Sequence, residues 1–143
     1  MCPDAPMPPD ESFREIRFPS SFVHAKGPEQ EVLDRVRQCR YSCEDLFAVQ
    51  LALEEALTNA IRHGNGGDPS KQVTLRYCVT PDKIILRVAD EGAGFQPETL
   101  PDPTADDRLE CPSGRGVMLM HAYMTRVFYN KAGNEVTLIK IHR

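Results

Sequence analysis

The sequence predicts an α+β fold, a two-layer α/β sandwich with helices on one face of a mixed, mostly antiparallel sheet. Three observations predict it. Apolar residues recur at helical spacing through residues 28–39 and again through 42–64. Residues 73–79 and 83–89 alternate apolar and polar positions around Thr80-Pro81-Asp82, as a hairpin-like pair of strands does. A further pair, 126–130 and 136–141, is joined at Lys131-Ala132-Gly133-Asn134. Strands segregated from helices in this way favour helices packed on one side of an antiparallel sheet.

Residues 1–12 hold four prolines and three acids with almost no large apolar side chain, and are expected to be a flexible tail. The remainder, 13–143, is expected to be one domain. Phe13, Ile16 and Phe18 mark an edge strand that Pro19 ends. Val32, Leu33 and Val36 mark the first helix, with Pro28 suited to a first turn. The second helix has the clearest signals. Ser42 and Asp45 make a start resembling a capping box, and Leu46, Val49, Leu53, Ala56, Leu57, Ala60 and Ile61 supply the apolar stripe. Gly64 ends it, followed by the turn residues Asn65-Gly66-Gly67-Asp68-Pro69. Residues 90–113 form a long irregular stretch rich in Pro, Asp and Gly, a length that usually serves function or lacks order. A third helix is expected from about Gly114 to Tyr123, with Val117, Leu119 and Met120 inward.

Composition narrows the function. Hydrophobic residues are 41% and charged residues 27%, as in soluble globular domains, and 143 residues suffice for a core without staples. The net charge of -4 argues against direct attraction to nucleic acid or to an anionic membrane. No apolar run reaches the ~20 residues of a membrane-spanning helix, and the N-terminus lacks the pattern of a signal peptide. Five cysteines without a C-x-x-C pair suggest free thiols in a reducing cytoplasm.

Chemistry concentrates in three places. In EEALTNAIRHG, Glu55 and Asn59 are four apart and share a helix face, and His63 extends the row by a turn. Asn is a mediocre residue inside a helix, but its amide oxygen suits a hard cation. Glu55 can accept a proton from a hydroxyl or water. A plain amphipathic helix with a solvated polar face explains the same row. In VADEGAGF, Asp90 closes a strand before Gly92 and Gly94. Its carboxylate can accept a hydrogen bond from an exocyclic amine such as that of adenine, and glycines allow close backbone approach. The same residues also read as a simple turn. In SGRG, Gly114, Arg115 and Gly116 lead into a helix whose backbone N–H groups favour phosphate. Neither the nucleotide-binding P-loop nor the Rossmann fingerprint occurs.

These motifs, followed by EVTLIKI and taken in order, resemble the ATP-binding domain of the gyrase, heat-shock chaperone, histidine-kinase and mismatch-repair superfamily. The stand-alone length is similar to the bacterial anti-sigma-factor serine/threonine kinases, and the likeness spans residues 13–142. The resemblance implies a Bergerat-type sandwich that binds ATP with Mg2+. It implies that Asn59 coordinates the metal, that Glu55 is the general base and that Asp90 reads the adenine amine. Gly92 and Gly94 shape the base pocket, Gly114 and Gly116 meet the phosphates beside Arg115, residues 97–113 form a lid, and Thr137 lies near adenine. Some family members carry an arginine just before the second glycine box. Here Cys111-Pro112 stands there, with Arg108 and Arg115 nearby.

The implied activity is phosphoryl transfer to a serine or threonine of a small antagonist protein, coupled to sequestration of a sigma factor, by a homodimer. Two other readings stay open. One is a module that binds ATP and a partner without phosphotransfer. The other is a detached histidine-kinase catalytic domain serving a separate phosphotransfer protein.

Overall fold

The computed structural model describes residues 12–92 and 123–142. In chain order these form β1 (Arg14–Pro19), α1 (Phe22–Gln38), α2 (Cys43–Thr58), a π-helical turn (Asn59–Gly64), β2 (Gln72–Val79), β3 (Lys83–Ala89), β4 (Arg126–Tyr129) and β5 (Glu135–Ile141). The expected N-terminal tail up to residue 11, the 97–113 lid and the 114–123 helix lie outside the described residues, apart from Tyr123.

The strands form one sheet in the order β1-β2-β3-β5-β4. Each neighbouring pair among the described residues is antiparallel. The parallel component of the expected mixed sheet is therefore not found among them. Both helices cover one face, giving the two-layer sandwich. Val73, Leu75, Tyr77 and Val79 of β2 meet Ile84, Leu86 and Val88 of β3 and Val136 and Leu138 of β5 on that face. Val32, Leu33 and Val36 of α1 and Val49, Ala52, Leu53, Ala56 and Leu57 of α2 close over them. Burial of a Leu, Ile or Val side chain contributes about 1.5–3 kcal/mol, so this cluster is the main source of stability.

α1 begins six residues before the expected start at Pro28. Ser21 caps it, its side chain accepting from the His24 N–H, and Pro28 sits inside the helix. Arg40, at φ 63°, takes the left-handed conformation that ends it. Charged and phenolic contacts fasten α1 to the sheet edge: Arg14 pairs with Glu31 at 2.6 Å, and the Tyr77 hydroxyl donates to the same carboxylate at 2.6 Å. α2 starts as expected, with the Asp45 N–H donating to the Ser42 side chain at 3.0 Å. It ends differently. The last turn widens, and the Asn65 N–H donates back to the Ala60 carbonyl at 2.8 Å, a five-residue span. Such π turns are rare and frequently mark functional sites.

Candidate functional site

The wide turn at the end of α2 faces the C-terminal end of β3 and the β4–β5 hairpin. Ala56, Asn59 and Ala60 line one side of a cleft there, and Val88, Asp90, Tyr129 and residues 133–136 line the other. α2 supplies a small-residue wall because alanines at 56 and 60 leave room beside the core. The hairpin wall is stiffened by Asn130. Its side-chain oxygen accepts from the Asn134 N–H at 3.1 Å, and its amide donates to Asn134 Oδ1 at 2.9 Å.

Asn59 is 8% exposed. Its amide nitrogen has no hydrogen-bond partner among the described residues. A buried amide left this way costs about 1–3 kcal/mol, so its place on a cleft wall favours a polar ligand. Asp90, opposite, is half-buried. Its own N–H donates to the Asn134 carbonyl at 2.9 Å, and its Oδ1 accepts from the Gly92 N–H at 2.8 Å. Burial raises the Asp90 pKa, offset in part by the Gly92 N–H and by Lys71. A carboxylate so placed keeps spare acceptor capacity on the cleft wall. Burial also holds the Tyr129 hydroxyl up at about 12, so this cleft residue stays protonated at neutral pH.

Glycine at 64 and 92 is required by close approach. A Cβ on residue 64 would lie 2.1 Å from Cγ of Asp90, and one on residue 92 would lie 1.8 Å from the Gly64 carbonyl oxygen. The two segments thus touch backbone to backbone. Sequence reasoning took Gly64 as a helix stop only. Its packing role had one signal, a glycine closing a row of polar helix residues.

Glu55 lies one helical turn before Asn59 and is partly exposed, outside the residues that line the cleft. Burial first, and the neighbouring Glu54 second, raise its pKa, in the direction a general base near neutral pH needs. His63 departs from expectation. The π turn replaces the α-helical turn that would have stacked it on Asn59, and its side chain is exposed, not on the cleft. Thr137 also departs. It is 4% exposed, but it pairs with Arg87 and Phe128 on the sheet face opposite Val136, and strand alternation turns it away from the cleft. Glu135 and Val136 are the cleft residues of that strand. Gly94, Gly114, Arg115 and Gly116 lie outside the described residues, as do Arg108 and Cys111-Pro112.

Comparison with known proteins bears on this arrangement. The histidine kinase-like ATPase domain family matches residues 23–140. The chain belongs to that family. The match takes in α1 from its second residue, α2, the π turn and all of β2 to β4, so every residue that lines the cleft lies within the matched ATPase domain. The domain is 29% identical over 107 residues to the serine-protein kinase RsbW of Listeria monocytogenes, covering 70% of this chain and 68% of that protein. It is 32% identical over 110 residues to RsbW of Bacillus subtilis, covering 70% and 67%. The anti-sigma F factor of Clostridium perfringens is 31% identical over 106 residues, covering 73% and 76%. Among the described residues, no helix is long and apolar enough to cross a membrane, and no cluster of three or more His, Cys, Asp or Glu is arranged to hold a metal ion.

Proposed function

We propose that this ATPase domain is a Mg-ATP-dependent serine/threonine-protein kinase of the anti-sigma-factor type. It phosphorylates a small antagonist protein and sequesters a sigma factor. The observation that carries the reading is the buried, unpartnered amide of Asn59 facing the Asp90 carboxylate across a cleft with apolar walls. The residues present fit the ligand. Asp90 accepts from the exocyclic amine of adenine, while Val88, Val136, Ala56 and Ala60 give the base an apolar slot. The Asn59 amide oxygen would hold magnesium, which would neutralise phosphate charge when bound. Its amide nitrogen, otherwise without a partner, donates to a phosphate oxygen. Glu55 takes the proton from the attacking serine or threonine hydroxyl. Gly94, Gly114, Arg115 and Gly116 keep the roles that the resemblance assigns, closing the pocket and supporting phosphate. In phosphoryl transfer the protein chiefly positions groups and offsets charge, and these residue types suffice for that. The names of the relatives support the partners: serine-protein kinases and an anti-sigma factor. A homodimer acting in the cytoplasm is part of the same proposal.

Two observations favour a second reading, a module that holds ATP and captures a partner without transfer. Glu55 stands off the cleft wall, and Cys111-Pro112 stands where the resemblance to the anti-sigma-factor kinases would place an arginine in some members. Calorimetric titration of ATP with and without magnesium, beside Asp90→Asn and Asn59→Ala, tests the site. Magnesium-dependent binding lost in both variants is expected, and unchanged binding in either overturns that residue's role. Acid-stable label on a serine or threonine of the antagonist protein, from γ-labelled ATP, separates the kinase from the module. Acid-labile label would instead indicate phosphohistidine.

A further inference from the structure

Asn65 ties the two halves of the cleft together, although it does not itself line the cleft. It follows the π turn directly, and at 1% exposed it is among the most buried polar residues described. Its amide donates to the Ser20 hydroxyl at 3.0 Å and to the Gln72 carbonyl at 3.0 Å. Its Oδ1 accepts from the Glu91 N–H at 2.8 Å. These three bonds reach the β1–α1 junction, the start of β2 and the residue after Asp90. An amide is the only uncharged side chain of this size that both donates twice and accepts. Aspartate keeps the acceptor and loses both donors. Alanine loses everything.

The bond to Glu91 has a consequence for Asp90. The backbone N–H of Asp90 is fixed from one side by the Asn134 carbonyl, and the next N–H is fixed from the other side by Asn65. The Glu91 carboxylate adds a 2.5 Å bond from the Gln72 N–H, next to the carbonyl that Asn65 already holds. Gly64 then fits against the Asp90 carboxyl with no room for a Cβ. The carboxylate that faces the cleft is thus aimed by a loop anchored to the residue six positions after Asn59.

We propose that Asn65 is a positioning residue that sets the Asp90 carboxylate for the amine of adenine, so that discrimination among purine nucleotides depends on it. The inference rests on the ATP reading of the cleft. A test compares ATP with inosine triphosphate, which carries a 6-oxo group in place of the 6-amino group. Both are titrated calorimetrically into the full chain as wild type, Asn65→Ala, Asn65→Asp and Ser20→Ala. Wild type prefers ATP. Asn65→Ala loses about tenfold in ATP affinity, the scale of one hydrogen bond to a charged group, while inosine triphosphate binding changes little, so the ratio collapses. Asn65→Asp keeps the Glu91 bond and retains most of the ratio. Ser20→Ala lowers thermal stability and leaves the ratio unchanged, as a merely structural contact does.

A folded Asn65→Ala protein with the wild-type ratio overturns the positioning role alone. Wild type that binds neither nucleotide overturns the ATP reading and the positioning role with it. If Asn65→Ala does not fold, amide hydrogen exchange on wild type decides. The Glu91 N–H is expected to exchange as slowly as the paired amides of β2 and β3, and exchange at the rate of a free loop amide overturns the proposal.

Discussion

The Gly64 backbone lies so close to Asp90 that a single added methyl at residue 64 would overlap the carboxyl group, 2.1 Å from its Cγ. A side chain can move away where a backbone cannot, so this overlap acts on function before stability. Gly64→Ala is expected to displace the Asp90 carboxylate, lowering ATP affinity about tenfold or more. Thermal unfolding should change little. Titration beside a melting curve checks both.

Gly92→Ala should behave the other way. Its Cβ meets the Gly64 carbonyl oxygen at 1.8 Å, a backbone atom that is itself held in the π turn. The chain must shift to admit it, which costs about 2 kcal/mol by the usual scale of overpacking. Denaturant unfolding is expected to show that loss. An unchanged midpoint would mean that the two loops do not touch as described.

Glu55→Gln keeps the shape of the helix face and removes the proposed base. Phosphotransfer should fall by 10²-fold or more, the usual contribution of a general base, with ATP affinity within about twofold. Burial and Glu54 raise the Glu55 pKa, so the rate of the wild-type enzyme should rise with pH through a midpoint above the ordinary glutamate range. A rate that is flat across pH 4–7, or a fully active variant, removes Glu55 from the mechanism.

Glu29 supplies a pH dependence of folding. Burial first, and the facing carboxyl of Glu54 on α2 second, push it up to about 7. The folded state therefore holds a proton that the unfolded chain releases near the ordinary value of about 4.3. Stability from this group is full below that value and is lost as pH rises towards about 7. Melting temperature should fall across that window, and Glu29→Gln should flatten the fall and raise stability at pH 7. Burial raises Asp90 and Glu55 in the same direction, so a residual slope is expected in the variant.

Ser42→Ala removes the cap of α2 at the end far from the cleft. A loss of about 1 kcal/mol in stability is expected, with the ATP-to-inosine triphosphate ratio unchanged. The pair Ser42→Ala and Asn65→Ala therefore separates a loss of stability from a loss of aim.

Much of this was legible in the sequence because the relevant signals are local. The five strands follow from alternation and turn residues, with ends within a residue or two of those observed. The cap of α2 follows from Ser42 and Asp45. The start of α1 was not legible, because Pro28 reads as a first turn, whereas Ser21 caps the helix a full turn and a half earlier. The cleft was half legible. Glu55, Asn59 and Asp90 carry their chemistry in their own side chains, and a spacing of four puts two of them on one helix face. His63 and Thr137 lie off the described cleft because their directions depend on features without a local sequence mark: the widening of one helical turn and the pairing register of the last strand. Asn65 looks like any residue of a Gly-rich turn. Only the packing of three separate segments around it shows that its side chain is fully bonded inside.

The sheet order has a consequence for how the site comes into being. β5 is the last strand in chain order, yet it lies between β3 and β4, and Val136 and the preceding hairpin form one wall of the cleft. On a ribosome, Asn59 and Asp90 emerge long before that wall exists. A nascent chain that has delivered only β1 to β3 presents β3 with an unpaired edge and no complete slot for a base. Pairing of β5 with both neighbours then finishes the core and the pocket in one step, with contacts across most of the chain, the kind of closure that folds slowly. A nucleotide bound in this cleft would thus act on newly made protein only after β5 has been delivered, when it stabilises the finished sheet and cannot template its beginnings.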